Sequence, residues 1–530
     1  MLRFRWFHWQ ALLLALALAP GSHAANAPAV PLPATTVSSS ESSGVYYEIF
    51  VRSWFDSNGD GVGDLNGVTA KLDYLQQLGV SGIWLMPINP SPSYHGYDVT
   101  DYQNIQPEYG NLQDFQRLLA EAHKRGIEVI IDLVVNHTSD RHPWFQAALN
   151  RKDPHHDWYT WAGPKTDLRA MSAAGGPAWH DVGTAPAPAQ HYLGDFAAAM
   201  PDLNYDQPAV RQAVIRIGRF WLQQGVDGFR LDAARHIYDD LQTDTGKPVT
   251  VRKNIVWWTE FRQALSTVKP DSYLVGEVTQ PSIEQLQPYL KPLGSVFDFP
   301  LAEQLIKCAD RERDSGIGAL LERIDHAYRS AAGNRPGPSY VGDAPFLSNH
   351  DQERVISQLH GNAQHMRMAA AMLLTLPGRP FIYYGEELGV PGHKPDLQLR
   401  QPLRWQRAAN APGQTHWQGP LAAEDHGISV EAEQADPDSL WSYYSRLIHW
   451  RMQVSALRDG SVRNYAVDQA GIVAYERITA SSRVLVIHNL SGTSQTLPAK
   501  ANTLLLSSKP RIAFEQQRLS MPPYSTAVLQ

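Results

Sequence analysis

Five short stretches carry side chains that an apolar core would not select: Tyr94-His95-Gly96-Tyr97-Asp98, Asn136-His137, Arg230-Leu-Asp232, Glu277 and Asn349-His350-Asp351. Each follows an apolar, strand-like run. Taken singly, any of them reads as a helix cap or a rim salt bridge. Besides Asp98, they offer three carboxylates (Asp232, Glu277, Asp351), an arginine and histidines that one pocket could gather. Paired carboxylates beside tyrosine and tryptophan suit cleavage of a glycosidic bond. One carboxyl is held protonated to donate to the leaving oxygen; another stays ionised to attack, or support, an oxocarbenium-like centre. Arg230 and Asp232 are two residues apart, so on a strand they project to the same side, where the guanidinium favours the ionised aspartate. With Cys308 the sole cysteine and no His-x-x-x-His spacing, the set does not read as a zinc site.

The elements that must position these groups repeat one pattern. Val68, Leu72, Leu75 and Leu78 fall at helical spacing before Gly79 and the run Val-Ser-Gly-Ile-Trp-Leu. Leu112, Phe115, Leu118, Leu119 and Ala122 do the same before Gly126, as do Val210, Val214, Ile217 and Trp221 before Gly225. An amphipathic helix closed by a left-handed glycine and followed at once by a buried strand predicts parallel pairing. Further strands are expected at Val45–Val51, Tyr273–Gly276, Ser295–Phe299, Pro345–Leu347 and Pro380–Tyr384. That makes eight, which points to an α/β fold of the (β/α)8 TIM-barrel type, with its chemistry on the face where strands end. A doubly wound open sheet is the alternative, but no Gly-rich phosphate loop supports it. Glycines 79 and 126 lie 47 residues apart, whereas 126 and 225 lie 99 apart. The surplus predicts a small domain inserted after the third strand, at 138–206. The barrel then occupies 44–137 and 207–459, and the short strands and turns of 460–530 predict a C-terminal all-β sandwich.

In this order the segments Asp132-Leu-Val-Val-Asn-His137, Gly228-Phe-Arg-Leu-Asp-Ala-Ala-Arg-His236, Gly276-Glu-Val278, Phe346-Leu-Ser-Asn-His-Asp351 and Gly385-Glu-Glu387 resemble the α-amylase superfamily of glycoside hydrolases (family 13). The resemblance implies a barrel, an insertion after strand three and a C-terminal β-domain. It implies Asp232 as nucleophile, Glu277 as general acid/base and Asp351 as the third carboxylate, with retention of the α configuration. Sugar contacts are expected from Tyr97, Asp98, His137, Arg230, Arg235, His236 and His350, with Tyr97 as a stacking platform. Met200-Pro-Asp-Leu-Asn204 resembles a group between the oligo-1,6-glucosidase and neopullulanase types. Tyr94 stands where exo-acting relatives usually carry an aspartate, and Arg235-His236 is similar to the Lys-His pair of amylases, with Arg replacing Lys. Both features favour an endo-acting α-amylase on α-1,4-glucans. An α-glucosidase, cyclomaltodextrinase or sucrose-cleaving relative is the alternative within the fold. A non-catalytic binding protein on the same scaffold is opposed by the three carboxylates.

Asp56-Ser-Asn58-Gly-Asp60-Gly-Val62-Gly-Asp64 repeats oxygen ligands at every second position. Asp56, Asn58, Asp60, the Val62 carbonyl and Asp64 suit Ca2+, although Gly67 stands where an EF-hand would close with glutamate. A Gly/Asp turn without metal is the other reading. The resemblance implies structural Ca2+ in this loop and, in many relatives, a second calcium using Asn136 and the His236 carbonyl. The domain-B ligand of that site is not identifiable from the sequence. Arg3 and Arg5, the apolar Ala11–Ala19 and Ser22-His23-Ala24 have the layout of a signal peptide at 1–24, followed by an Ala/Pro/Ser/Thr leader at 25–43. Export to the periplasm or the medium is expected, as a monomer without a membrane anchor. The 530 residues carry 46 basic against 53 acidic groups, net −7, which supplies no general field for nucleic acid.

Overall fold

The computed structural model describes residues 44–183, 190–333, 341–408, 410–418 and 427–530. The expected signal peptide and leader lie outside them. Among the described residues, nine strands precede the C-terminal region: β1 Tyr46–Ile49, β2 Gly82–Leu85, β3 Glu128–Leu133, β4 Trp179–Asp181, β5 His191–Leu193, β6 Gly228–Leu231, β7 Tyr273–Gly276, β8 Ser295–Val296 and β9 Phe381–Tyr383. Seven of these form one sheet in the order β8-β7-β6-β3-β2-β1-β9, every pair parallel. Its two edges meet through the segment 342–347. Ala344 N donates to Val296 O (3.3 Å) and Phe297 pairs with Ala344, while Phe381 N donates to Pro345 O (2.8 Å). That segment is the expected seventh strand, and it closes the ring as an irregular connector. Pro345 has no N–H to give to a ladder, so pairing stays sporadic. The sixth strand is also shorter than expected, because Asp298 caps a helix, Phe299–Asp310, through Leu301 N.

Helices form where the apolar spacing places them. Leu112–Lys124 opens with a reciprocal Asn111/Asp114 capping box and buries Phe115, Leu118, Leu119 and Ala122 against the sheet. Gly79 (φ +99) and Gly225 (φ +107) end their helices in the left-handed conformation that L side chains avoid.

Alternation along the strands separates two environments. Outward residues such as Tyr47, Ile83, Ile131 and Phe229 join the core under the helices. Inward residues stack in layers. Tyr46, Trp84, Ile130, Tyr273 and Phe381 fill the ring with apolar rings and branches. Two residues after Tyr46 and Ile130 the inward positions hold Glu48 and Asp132, and β6 brings Arg230 and, just past its end, Asp232 to the same side. Register sets Asp132 opposite Arg230. The alternation that builds the core therefore delivers charged groups to one face.

Between β3 and the helix Pro208–Gln224 the chain makes its long excursion: a short helix, Pro143–Ala148, and the antiparallel pair β4–β5. Beyond Asp459 it is all β: β10 Ser461–Asn464, β11 Ile472–Ile478, β12 Arg483–Asn489, β13 Gln495–Pro498, β14 Leu504–Ser507, β15 Ala513–Glu515, β16 Arg518–Met521 and β17 Ser525–Leu529. A five-stranded sheet (β10-β11-β12-β17-β14) faces a three-stranded one (β13-β16-β15) across a layer that includes Leu485, Ile487, Leu497, Leu519 and Met521. The opposite face of the larger sheet, with Val484, Val486 and Tyr475, packs into the barrel's outer core. Among the described residues, no helix is long and apolar enough to cross a membrane.

Candidate active site

A cleft of about 460 Å³ opens at the strand C-termini, lined by Tyr97, His137, Asp232, Arg235, His236, Glu277 and Asp351 among others. Arg230 lies beneath it, 1% exposed, as the hub. Its Nη1 donates to Asp232 Oδ1 (2.6 Å) and to both oxygens of Asp132 (2.8 and 2.9 Å), and its Nη2 to Glu277 Oε2 (2.6 Å). Asp232 and Glu277 are thus held by adjacent nitrogens of one planar guanidinium, which fixes both carboxyls on the same side of the ring. The backbone contributes a further tie. Ala233 adopts φ +46, left-handed for a non-glycine residue, and its N–H donates to Glu277 Oε2 (3.0 Å).

One cation here faces three carboxylates, so the ionised forms are not all compensated. Burial raises the pKa of Glu277; Arg230 opposes the shift, and the charges of Asp232 and Asp351 add to it. Asp232 is raised for the same leading reason. Asp132, fully enclosed, is pushed up to about 7 by burial against the pull of Arg230. Asp132 thus holds a proton into the neutral range, and Asp232 and Glu277 are both shifted upward, Glu277 from the higher intrinsic pKa of a glutamic acid. Asp351 behaves oppositely. Burial would raise it, but His350 and the Arg400 guanidinium, 2.7 Å from its Oδ1, hold it down at about 2.

His137 and His350 are neutral for want of solvent. Burial lowers His137 to about 4 and His350 to about 3. His350 is fixed on both sides, with Nδ1 2.5 Å from Glu48 Oε1 and Nε2 2.6 Å from the Tyr97 hydroxyl. Tyr97 also donates to Asp132 Oδ2 (3.1 Å) and stacks on His350 at 5.4 Å. His137 Nε2 donates to the Tyr97 carbonyl (3.0 Å). Arg235 grips Asp239 through Nε and Nη2 and the Thr279 carbonyl through Nη1 (2.6 Å).

Of the expected sugar contacts, Tyr97, His137, Arg235 and His236 line the cleft, while Arg230 and His350 sit behind its floor. Asp98 needs correction. It is buried, accepts hydrogen bonds from the Ser91 and Ser93 hydroxyls, and does not line the cleft, so it orders the loop instead of meeting a ligand. Four participants escaped the sequence reading: Asp132, Glu48, Arg400 and Asp195. Asp132 and Glu48 do carry a signal, a charge at an inward position of an otherwise apolar strand.

Two oxygen-rich places lie outside the cleft centre. In the loop 56–64, Asp56 accepts from the backbone of Asn58, Gly59 and Gly61, and Asp60 from Val62 N. Asp64 accepts from Ser57 and caps the helix Leu65–Ala70 through Gly67 N (2.7 Å). Gly67 is pressed so closely onto Phe55 that a Cβ would come within 1.9 Å of its carbonyl oxygen, leaving no room for an EF-hand's closing glutamate. The second place gathers Asn136, Asp195, Asp202 and Asp240. Asn136 Nδ2 donates to Asp202 (3.2 Å), and Asp195 N donates to Asp202 Oδ2 (2.7 Å). Asp195 Oδ2 and Asp240 Oδ1 are buried without a regular hydrogen bond. Among the described residues, no three His, Cys, Asp or Glu side chains are already drawn together as a metal would hold them.

Comparison with known proteins agrees with this geometry. The family description "Alpha amylase, catalytic domain" matches residues 48–460, and "Alpha-amylase SusG C-terminal domain" matches 472–528. Alpha-amylase 3 of Dictyoglomus thermophilum is 40% identical over 492 residues, covering 92% of this chain and 93% of its own. An oligo-1,6-glucosidase of Parageobacillus thermoglucosidasius is 32% identical, over 84% of this chain and 90% of its own. The crystal structure of an alpha-amylase from H. orenii superposes with a TM-score of 0.83 at 44% identity, covering 92% of this chain and 99% of that one.

Proposed function

Because this chain belongs to the α-amylase family of glycoside hydrolases, family 13, we propose that it is an endo-acting, retaining α-amylase of α-1,4-glucans. The observation that carries the retaining chemistry is the shared guanidinium: one arginine holds Asp232 and Glu277 side by side, close spacing of the kind a double displacement needs. Asp232 attacks the anomeric carbon while Glu277 gives its proton to the departing glycosidic oxygen. The bond from carbon to leaving oxygen breaks as the bond to Asp232 forms. Glu277, now ionised, takes a proton from water, which displaces Asp232 and restores the α configuration. Asp351, ionised and anchored by Arg400, binds hydroxyls of the reacting sugar, and Tyr97 supplies the flat face beneath it.

Endo action is supported by Tyr94, which stacks on Trp417 (5.5 Å, 19°) where an exo-acting enzyme would place a carboxylate for the chain end. The relative named oligo-1,6-glucosidase keeps the exo reading in play. Incubation with soluble starch, maltotetraose, pullulan and sucrose separates the two. Endo action predicts loss of iodine colour from starch well before glucose accumulates; glucose as the sole early product would refute it.

The reading includes structural Ca2+. Asp56, Asn58, Asp60, the Val62 carbonyl and Asp64 are hard oxygens of the right kind, with the helix cap made by Asp64 competing for one of them. Asn136, Asp195, Asp202 and Asp240 fit a second cation by their chemistry, since three carboxyls with buried oxygens crowd together there, Asp240 Oδ1 has no hydrogen bond and Asp195 Oδ2 meets His236 Nδ1 alone. The N-terminal layout supports export, and we take the enzyme to act as a monomer.

A further inference from the structure

Resting on the α-glucan reading, we infer that Phe196 is the platform for the leaving-group sugar and so sets preference on that side of the scissile bond. The lining of the cleft is of two kinds: Asp351, Asp396 and Arg400, tied together by ion pairs, present charge, and Phe196, Ala197 and Met200 present apolar surface. Glu277 marks which kind the leaving group meets. Its carbonyl accepts from Ala234 N (2.9 Å), Arg235 and Thr279 follow on the two chains beside it, and His236 leads to Phe196. The acid must touch the departing oxygen, so the departing sugar extends toward this apolar side.

Phe196 is 42% exposed. Its ring rests on two cleft histidines, 5.4 Å from His137 and 5.5 Å from His236, and its free surface is turned to the cleft. A large apolar side chain left in water at the mouth of a binding site is stabilised when the C–H face of a sugar covers it. Nor is the ring loosely carried. Asp195, the residue before it, is 1% exposed; its N–H is held by Asp202 and its Oδ1 by Ala174 N (3.1 Å), and its Oδ2 lies 3.0 Å from His236 Nδ1. Buried polar ties on the preceding residue fix where the platform stands, so that contact made in the transition state is not lost to ordering the loop.

The test compares a substrate that needs this apolar surface with one that does not. Maltopentaose places a sugar on the leaving side, whereas α-maltosyl fluoride loses only fluoride. In Phe196→Ala, the ratio of kcat/KM for maltopentaose to that for α-maltosyl fluoride should fall roughly tenfold, and Phe196→Tyr should restore it. An unchanged ratio in Phe196→Ala, or a loss that Phe196→Tyr fails to recover, would overturn the assignment. A wild-type enzyme inactive on both substrates would instead remove the α-glucan reading beneath it.

Discussion

Arg230 is the residue on which the site turns, and Asp132 is its least obvious partner. Asp132 accepts two bonds from the Arg230 Nη1 that also holds Asp232, so in its ionised form, reached as pH rises past about 7, its negative charge competes for the cation. Replacing it with asparagine removes that charge while retaining an acceptor. Asp132→Asn should move the alkaline limb of the kcat/KM–pH profile, which reports protonated Glu277, to lower pH, and cut activity at the optimum at least roughly tenfold. A profile superimposable on wild type would show that Asp132 is mere scaffolding. The three cleft carboxylates were legible in the sequence because they stand at strand ends, where polarity breaks an apolar run. Asp132 carries a fainter signal, a single charge inside an otherwise apolar strand, and its meaning emerges only when register sets Arg230 opposite. Asp195, Asp202 and Asp240 are scattered along the chain and meet only through the excursion after β3, so no local spacing announces them.

Elements were readable to the extent that their periodicity was regular. Helices closed by Gly79 and Gly225 and the strands after them follow directly from spacing, whereas Pro345 makes the seventh barrel position a connector that no alternation describes. The loop 56–64 shows both sides of this limit. Its oxygens alternate as a cation would require, yet Asp64 is also a helix cap and Gly67 is locked against Phe55. Ca2+ in this loop predicts that chelation lowers Tm, that added Ca2+ restores it, and that Asp60→Ala, at a solvent-facing position, weakens the response. Asp64→Ala should in addition cost about 1 kcal/mol from the lost cap. A chelator-insensitive Tm in wild type would leave the loop as a turn.

At the scale of the whole molecule, buried ionisable groups set a window of stability. His137, His350 and His488 titrate near 4, 3 and 3 when folded, against about 6.5 unfolded. Between those limits the unfolded chain binds more protons, so this contribution is complete above pH 6.5 and is lost as pH falls toward 3. Glu386, held by Tyr444 and raised by burial to about 8, acts in the other direction. The folded state keeps its proton longer, so its stabilisation is full below about 4.5 and disappears as pH climbs to 8. Tm should therefore decline from pH 6.5 to 8, and Glu386→Gln, neutral throughout, should flatten that decline. An identical slope in the variant would assign the alkaline loss elsewhere.

The central claim is that Asp232 and Glu277 share one guanidinium so that one can bond to sugar while the other moves the proton. Glu277→Gln incubated with α-maltosyl fluoride tests it, because fluoride departs without an acid but the second step lacks its base. Intact mass should gain one maltosyl unit, and peptide mapping should place it on Asp232. A label on another residue, or β-configured product with no adduct, would contradict the account.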